Sequence, residues 1–318
     1  MMEYRTIVDL SSGWTFVKKR MSRRWLRASA SRDGEIVSVP HCWNDKDAFQ
    51  ENVAYYQGYG SYRKTFTVPE LRGDNPDAVW ILRSEGFYGT GDVWLNGHKL
   101  ADVDGAYLGF SLDVTKHLNL DSTNVLGARL TNKCRSHVLP GIKDPDFLLY
   151  GGLAGRMWLQ SKDALHLKED TIRIRCEPGE ERDNSWVINI DCAVANRSSR
   201  QRRCQARWSI RGIDTDAVSN CIAASEPLDI AVGARDESGN CTARMTVPNP
   251  RLWSPASPAL YVAEYVLSEN GKTIDSGAGR FGFRTAVFRP GQGFFLNGER
   301  IELHGCNRHE SMPGFGNA

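Results

Sequence analysis

The chain has no long apolar run, no metal-ligand spacing among its cysteines and almost no surplus of charge. Each absence removes a class of protein. A helix that crosses a bilayer needs about 20 apolar residues in succession, and no segment comes near that. A formal net charge of +2 over 318 residues is too small to argue for a polyanionic partner. Met1-Met2-Glu3-Tyr4-Arg5 lacks the charged-then-apolar pattern of a secretory signal, which points to the cytoplasm. The eight cysteines form neither a CxxC nor a Cys/His ligand pattern, so a structural zinc site is not expected. In a reducing compartment they should be free thiols packed as small hydrophobes. There is no internal repeat, no low-complexity tract and no cofactor-binding motif.

What remains is ordinary globular composition, long enough for two or three domains. Residues 1–165 read as short strands separated by Gly and Pro. Val79–Arg83, Asn124–Leu130 and Arg156–Leu159 are strands, and Asp92–Leu100 is a hairpin turned at Asn96-Gly97. Helical periodicity is confined to one turn over Asp113–Leu118. This pattern indicates a β-sandwich. From 166 to 284 the alternation is cleaner. Trp186, Ile188, Ile190, Cys192 and Val194 share one strand face, and Cys204, Ala206, Trp208 and Ile210 repeat it, as do Ala243, Met245 and Val247. Several half-buried strands of this kind suggest an immunoglobulin-like sandwich. Residues 285–318 begin with a hairpin at Asn297-Gly298. A strand should follow and deliver Asn307, Arg308, His309 and Glu310 at its end, which is how a (β/α) barrel builds an active-site rim. The sequence stops soon after Glu310, so the expectation is the front of an enzyme whose barrel is incomplete here.

Several stretches occur in a fixed order. They are Val39-Pro40-His41-Cys42-Trp43-Asn44, Gly58-Tyr59-Gly60-Ser61-Tyr62-Arg63, Val93-Trp94-Leu95-Asn96-Gly97 and Pro145-Asp146-Phe147 with Tyr150-Gly151-Gly152-Leu153. Pro250-Arg251-Leu252-Trp253-Ser254-Pro255, Phe281-Gly282-Phe283-Arg284 and the Asn-Arg-His-Glu run complete the series. In this the chain resembles the N-terminal part of glycoside hydrolase family 2, the family of β-galactosidases, β-glucuronidases and β-mannosidases. The resemblance implies an all-β chain: a jelly-roll β-sandwich, an immunoglobulin-like β-sandwich, then the first hairpin and strand of a truncated (β/α)8 barrel. One departure is Gly152-Leu153-Ala154-Gly155-Arg156-Met157, where the family often has Gly-Gly-Ile-Tyr-Arg-Asp.

The resemblance also implies a retaining exo-β-glycosidase acting on terminal β-linked sugars, with galactoside preferred and glucuronide as the nearest competitor. Such chemistry needs two carboxyls about 5 Å apart. The family carries them on later barrel strands, so no residue of this chain is expected to be catalytic, and the chain alone should be inactive. The resemblance implies that Asp146 accepts hydrogen bonds from sugar hydroxyls, although an aspartate after Pro145 can equally satisfy its own turn. His309 matches a histidine that donates to one hydroxyl and accepts from another. Asn307 and Asn52 are further candidates for sugar contact, while Arg308 and Glu310 brace the strand end. Trp43, Trp94 and Trp158 read as core rather than stacking platforms, and His41 and His98 as structural. The basic run Lys18–Arg27 reads as a solvated loop or subunit contact, not a nucleic-acid surface. The expected partner is carbohydrate, with neither nucleic acid nor membrane, in a homo-oligomeric full-length enzyme. No cofactor is expected in this chain, and a divalent or monovalent cation would belong to the full enzyme. The rival reading is a non-catalytic carbohydrate-binding or scaffolding module.

Overall fold

The computed structural model describes residues 5–26, 33–69, 77–104, 107–139, 141, 143, 145, 147–180, 184–214, 217–235, 237–308, 311–314 and 316. It is built of strands. The only helical pieces among the described residues are one turn at Arg23–Leu26 and two 3-10 turns, Asp47–Phe49 and Thr115–His117. The second 3-10 turn occupies the one place where helical periodicity is visible in the first half of the sequence. The chain forms two compact units. The first holds residues 6–74, 79–161 and 307–318, and the second holds 1–5, 75–78 and 162–306.

In the first unit a six-stranded antiparallel sheet runs in the order Glu35–Val37, Trp14–Val17, Tyr59–Phe66, Asn124–Thr131, Thr90–Leu95, His98–Val103. A four-stranded sheet orders Ile7–Asp9, Met157–Lys162, Val79–Ser84 and Phe110–Asp113. The two share one core, in which Trp14, Phe16, Tyr62 and Leu126 from the first sheet meet Trp80, Leu82, Met157 and Leu159 from the second. At Asn96 and Gly97, φ is 49° and 85°. Two successive positive values make the mirror-image turn whose twist suits a tight hairpin. A third, small sheet of His41–Cys42, Gly152–Leu153 and Phe87–Tyr88 closes this unit at one place.

The second unit packs the sheet Leu165–Pro178, Ser185–Asn196, Glu237–Pro248 against Ala217–Ala224, Arg202–Asp214, Leu260–Glu269, Lys272–Phe281, with Leu228–Val232 also on Arg202–Asp214. The alternating positions read from the sequence are buried: Trp186, Ile188, Ile190, Cys192 and Val194 are each at most 5% exposed. They meet Ala206, Trp208 and Ile210 in a single cluster. All eight cysteines are free, and the ladder sets Cys192 opposite Cys241, with Cys204 in the same buried cluster.

A three-stranded meander, Ala286–Arg289, Gly293–Leu296, Glu299–Ile301, follows. Its second turn has φ of 52° and 85° at Asn297 and Gly298, as the Asn-Gly pair requires. The strand expected to continue towards Asn307 ends at Ile301. Residues 302–308 have no regular structure and are exposed, Leu303 at 66%. Among the described residues Glu299–Ile301 is paired on one edge only. No ladder partner among the described residues continues the pairing beyond Ile301.

Candidate functional site

Of the four residues expected to touch sugar, Asp146 and His309 lie outside the described residues. Asn52 is exposed in a turn with φ of 63°, a conformation asparagine tolerates better than most residues. Asn307 is exposed and outside any strand. Both belong to the first unit, and no hydrogen bond joins them among the described residues. What the structure does bring together is Tyr56 and Leu149, from two separate loops.

Two buried asparagines make that connection. Asn44 is 0% exposed and Asn132 3%. The Asn44 amide donates to the carbonyls of Tyr56 at 3.2 Å and Leu149 at 3.1 Å. The Asn132 amide donates to the same two carbonyls, at 3.1 Å and 2.8 Å. Two NH2 groups and two carbonyls thus close a ring of four hydrogen bonds. The amide oxygens are used as well: Asn44 Oδ1 accepts from Gly151 N–H at 2.9 Å and Asn132 Oδ1 from Gly58 N–H at 2.8 Å. Asp47 adds a carboxylate oxygen to the Tyr56 N–H at 3.0 Å. A buried amide spends its donors and acceptor fully here, so desolvation is compensated and the loops are held to one geometry.

The glycines after Tyr150 explain why this wall can be so close-packed. A Cβ on Gly151 would stand 2.0 Å from the Trp43 ring. One on Gly152, whose φ is 145°, would stand 2.0 Å from the His41 carbonyl oxygen. Neither position has room for a side chain, and Gly152 also needs backbone freedom. The segment after His309 returns to the same place. Met312 and Gly316 form an antiparallel bridge, and a Cβ on Gly316 would lie 3.1 Å from the Tyr150 ring and 3.4 Å from Cys42 Sγ.

Tyrosines face this region. Tyr88 stacks edge-on against Tyr107 at 5.5 Å and lies 6.3 Å from Tyr150, between ring centroids. Burial pushes the Tyr88 phenol up to about 12 and the Tyr55 phenol higher still, so both stay protonated donors at neutral pH. Burial likewise raises the Cys42 thiol to about 11, which removes it as a nucleophile. The cleft lined by Tyr107, Asn132, Leu149 and Tyr150 holds about 30 Å³, enough for a water but not for a pyranose. The described residues therefore supply a close-packed wall whose amides are spent on backbone groups. Among them no group of three or more His, Cys, Asp or Glu side chains could hold a metal ion.

Other residues resolve as core or scaffold. Trp43 and Trp94 are 5% and 6% exposed and serve no open face. His41 shares a 2.7 Å hydrogen bond between Nδ1 and the Tyr62 hydroxyl, and burial lowers its pKa. His98 stacks on His117. The basic run lies over aromatics from other strands and loops of the first unit: Lys18 over Tyr56, Arg20 over Tyr59 and Arg23 over Trp94. Asn132 was not marked by any motif, and Asn44 only as a member of one. A lone asparagine has no local signal that separates a buried clamp from a surface turn.

Comparison with known proteins adds the family. Residues 170–284 match the family model described as Glycosyl hydrolases family 2, and residues 46–138 match Glycosyl hydrolase 2 galactose-binding domain-like. The chain is 27% identical to a putative beta-glucuronidase of Formosa agariphila over 99% of its own length and 35% of that protein's. It is 23% identical to a beta-galactosidase of Thermoanaerobacter pseudethanolicus, over 99% and 40% respectively. The fold matches Bacteroides uniformis beta-glucuronidase 2, covalently bound to cyclophellitol-6-carboxylate aziridine, with a TM-score of 0.83 at 24% identity. That match covers 98% of this chain and 36% of the other. The chain thus spans about a third of the length of such relatives. Both names recur among them, with glucuronidases prominent, so the likeness does not favour a galactoside as the sequence reading did.

Proposed function

The chain belongs to glycoside hydrolase family 2, and we propose that it is the N-terminal part of a retaining exo-β-glycosidase, with residues 1–165 and 166–284 as two sandwich domains and 285–318 as the opening of the catalytic barrel. The observation that carries this reading is the clamped wall. Asn44 and Asn132 tie Tyr56 to Leu149, and Gly316 lies against Tyr150. The amides, spent on backbone groups, fix the loops, and neutral phenols such as Tyr55 suit a ligand whose recognition groups are hydroxyls. In this reading Asp146 accepts from two glycone hydroxyls, His309 donates to one and accepts from another, and Asn307 and Asn52 add amide contacts. The two carboxyls that cleave the bond come from the following part of the barrel, about 5 Å apart as retention requires.

The glycone is a terminal β-linked sugar, glucuronide or galactoside, and the test separates the two. The full-length enzyme should hydrolyse one of a matched pair of chromogenic β-glucuronide and β-galactoside with retention, while the 318-residue chain turns over neither. Asp146→Ala or His309→Ala in the full enzyme should lower kcat/KM by about 2–3 kcal/mol, the cost of a buried partner left unpaired. Turnover by the 318-residue chain alone, or inversion at the anomeric carbon, would defeat the proposal.

A further inference from the structure

We infer that Cys192 and Cys241 are a modification site of the second sandwich: a thiol pair that a peroxide oxidises to a cross-strand disulfide. The inference goes beyond the glycosidase reading and does not depend on it. The two cysteines stand directly opposite each other in the ladder between Ser185–Asn196 and Glu237–Pro248, which runs its whole length without a bulge. One position along, on the outer face, Asp191 accepts from the Thr242 hydroxyl at 2.9 Å and pins the register. Opposed residues of an antiparallel pair have Cα atoms about 4.5 or 5.5 Å apart. Both spacings fall in the range of about 4.4–6.8 Å that a disulfide spans. Both side chains belong to the same core cluster, and both thiols are free. The sheet itself therefore presents the pair for bonding.

Burial selects the oxidant. Cys192 is 5% exposed and Cys241 4%, a site that admits hydrogen peroxide, little larger than water, and turns away a bulky charged disulfide such as oxidised glutathione. The neighbouring Cys192 thiol favours the Cys241 thiolate and holds the Cys241 pKa below its ordinary value, so Cys241 is the attacking group. Its sulfur takes one peroxide oxygen to become a sulfenic acid. The O–O bond breaks, and the departing hydroxide takes up the proton that the thiol gave up. The Cys192 sulfur then attacks the sulfenic sulfur: the S–S bond forms, the S–O bond breaks and a second water leaves with the Cys192 proton. Two thiols lose two electrons and one peroxide gains them. Closing the bond draws the Cβ atoms from about 4.5–5.5 Å to about 4 Å, so a small thiol should reopen it. The closed loop contains Arg202–Asp214, Ala217–Ala224 and Leu228–Val232, all on the facing sheet. Oxidation thus staples the two layers of the sandwich.

The test is peptide mapping of the folded 318-residue chain after exposure to hydrogen peroxide, with remaining thiols alkylated in urea before digestion. Trypsin leaves Cys192, Cys204 and Cys241 on separate peptides, so each thiol is followed by itself. The expected product is the Cys192 peptide joined to the Cys241 peptide, lighter by two hydrogen atoms than the reduced pair, and lost again when dithiothreitol precedes alkylation. Cys204 shares the core cluster but stands on the facing sheet, so Cys204→Ala should leave the link in place. In Cys192→Ala no thiol resolves the sulfenic acid, and Cys241 should pass on to sulfinic acid. Both thiols still alkylated after peroxide, a link from Cys241 to Cys204, or higher oxides in the unaltered chain without a link would each overturn the inference. A Cys241 left unoxidised in Cys192→Ala overturns its role as the attacking group. Should either variant not fold, the map of the unaltered chain decides alone.

Discussion

One buried polar network in each unit solves the same problem with different chemistry. Each must hold a polar element inside an apolar interior. The second unit does it with charge. Arg5, 3% exposed at its side chain, donates to Asp275 Oδ1 from Nε at 3.0 Å and from Nη2 at 2.6 Å. It also reaches the Tyr265 hydroxyl at 2.7 Å and the Glu169 carboxylate. Asp275 Oδ2 accepts from Leu167 N–H at 3.0 Å, and Lys162 pairs with Glu169 at 3.3 Å. Burial works against the Arg5 charge, but Asp275, Tyr265 and Glu169 together hold its pKa above the ordinary value. The first unit uses the neutral amides of Asn44 and Asn132. A charged network is held strongly only while every member is present, and it responds to pH. An amide ring is weaker bond by bond and carries no titrating group.

Removing one member of the charged network should give the largest effect. Asp275→Ala removes two of the Arg5 guanidinium's hydrogen bonds and the carboxylate acceptor of the Leu167 N–H in a site where Asp275 itself is 1% exposed. Breaking a buried pair from one side costs about 3–5 kcal/mol. Urea unfolding of the 318-residue chain, followed by tryptophan fluorescence, should show that loss in the transition that reports Trp186 and Trp208. A loss under about 1 kcal/mol would mean that water reaches Arg5 and that the contrast between the units is overstated.

The pH response comes second. His166 is 5% exposed, with Nδ1 2.8 Å from the Asp163 carbonyl oxygen. Burial, with the nearby Lys162 charge, pushes its pKa down to about 4. An unfolded histidine titrates near 6.5. Between these values the unfolded chain takes up a proton that the folded chain refuses. The neutral-histidine contribution is therefore complete above about pH 6.5 and declines as pH falls, by about 3 kcal/mol at pH 4. Unfolding free energies measured at pH 7, 5.5 and 4.5 should fall in that order, and His166→Gln should flatten the slope. An unaltered slope in that variant assigns the acid sensitivity to another group.

The sequence shows the second sandwich more clearly than the first for a physical reason. Strands with one face in a core alternate strictly, so Trp186 to Val194 announce their orientation one residue at a time. In the first unit Asn124–Thr131 is buried at nearly every position, and alternation carries no information there. The hairpin turns were readable because Asn-Gly has few other uses. The strand through Leu303 was not, because a strand depends on neighbours that its own residues do not encode. Asn52 and Asn307 could be named through a resemblance between motifs. The clamp could not, since Asn44 and Asn132 matter through partners 12 to 107 residues away in sequence.

The Asn-Gly turns offer the finest comparison, because the two units use the same dipeptide with different side-chain wiring. Asn96 donates to the His117 carbonyl at 2.7 Å and to Asn124 Oδ1 at 2.8 Å, and it accepts from Val125 N–H at 2.8 Å. Asn297 makes two bonds, accepting from Thr285 N–H and donating to the Trp253 carbonyl, both at 3.0 Å. Asparagine to glycine keeps the positive φ that each turn demands, so the change removes the side-chain bonds without forbidding the turn. Asn96→Gly removes three bonds, one of them to the fully buried Asn124, and should cost about 2 kcal/mol, whereas Asn297→Gly removes two and should cost about 1 kcal/mol. Equal costs would show that glycine's added chain entropy, common to both turns, outweighs the wiring. A larger loss at Asn297 would reverse the comparison and make the meander, not the first sandwich, the part of this chain that leans on a single amide.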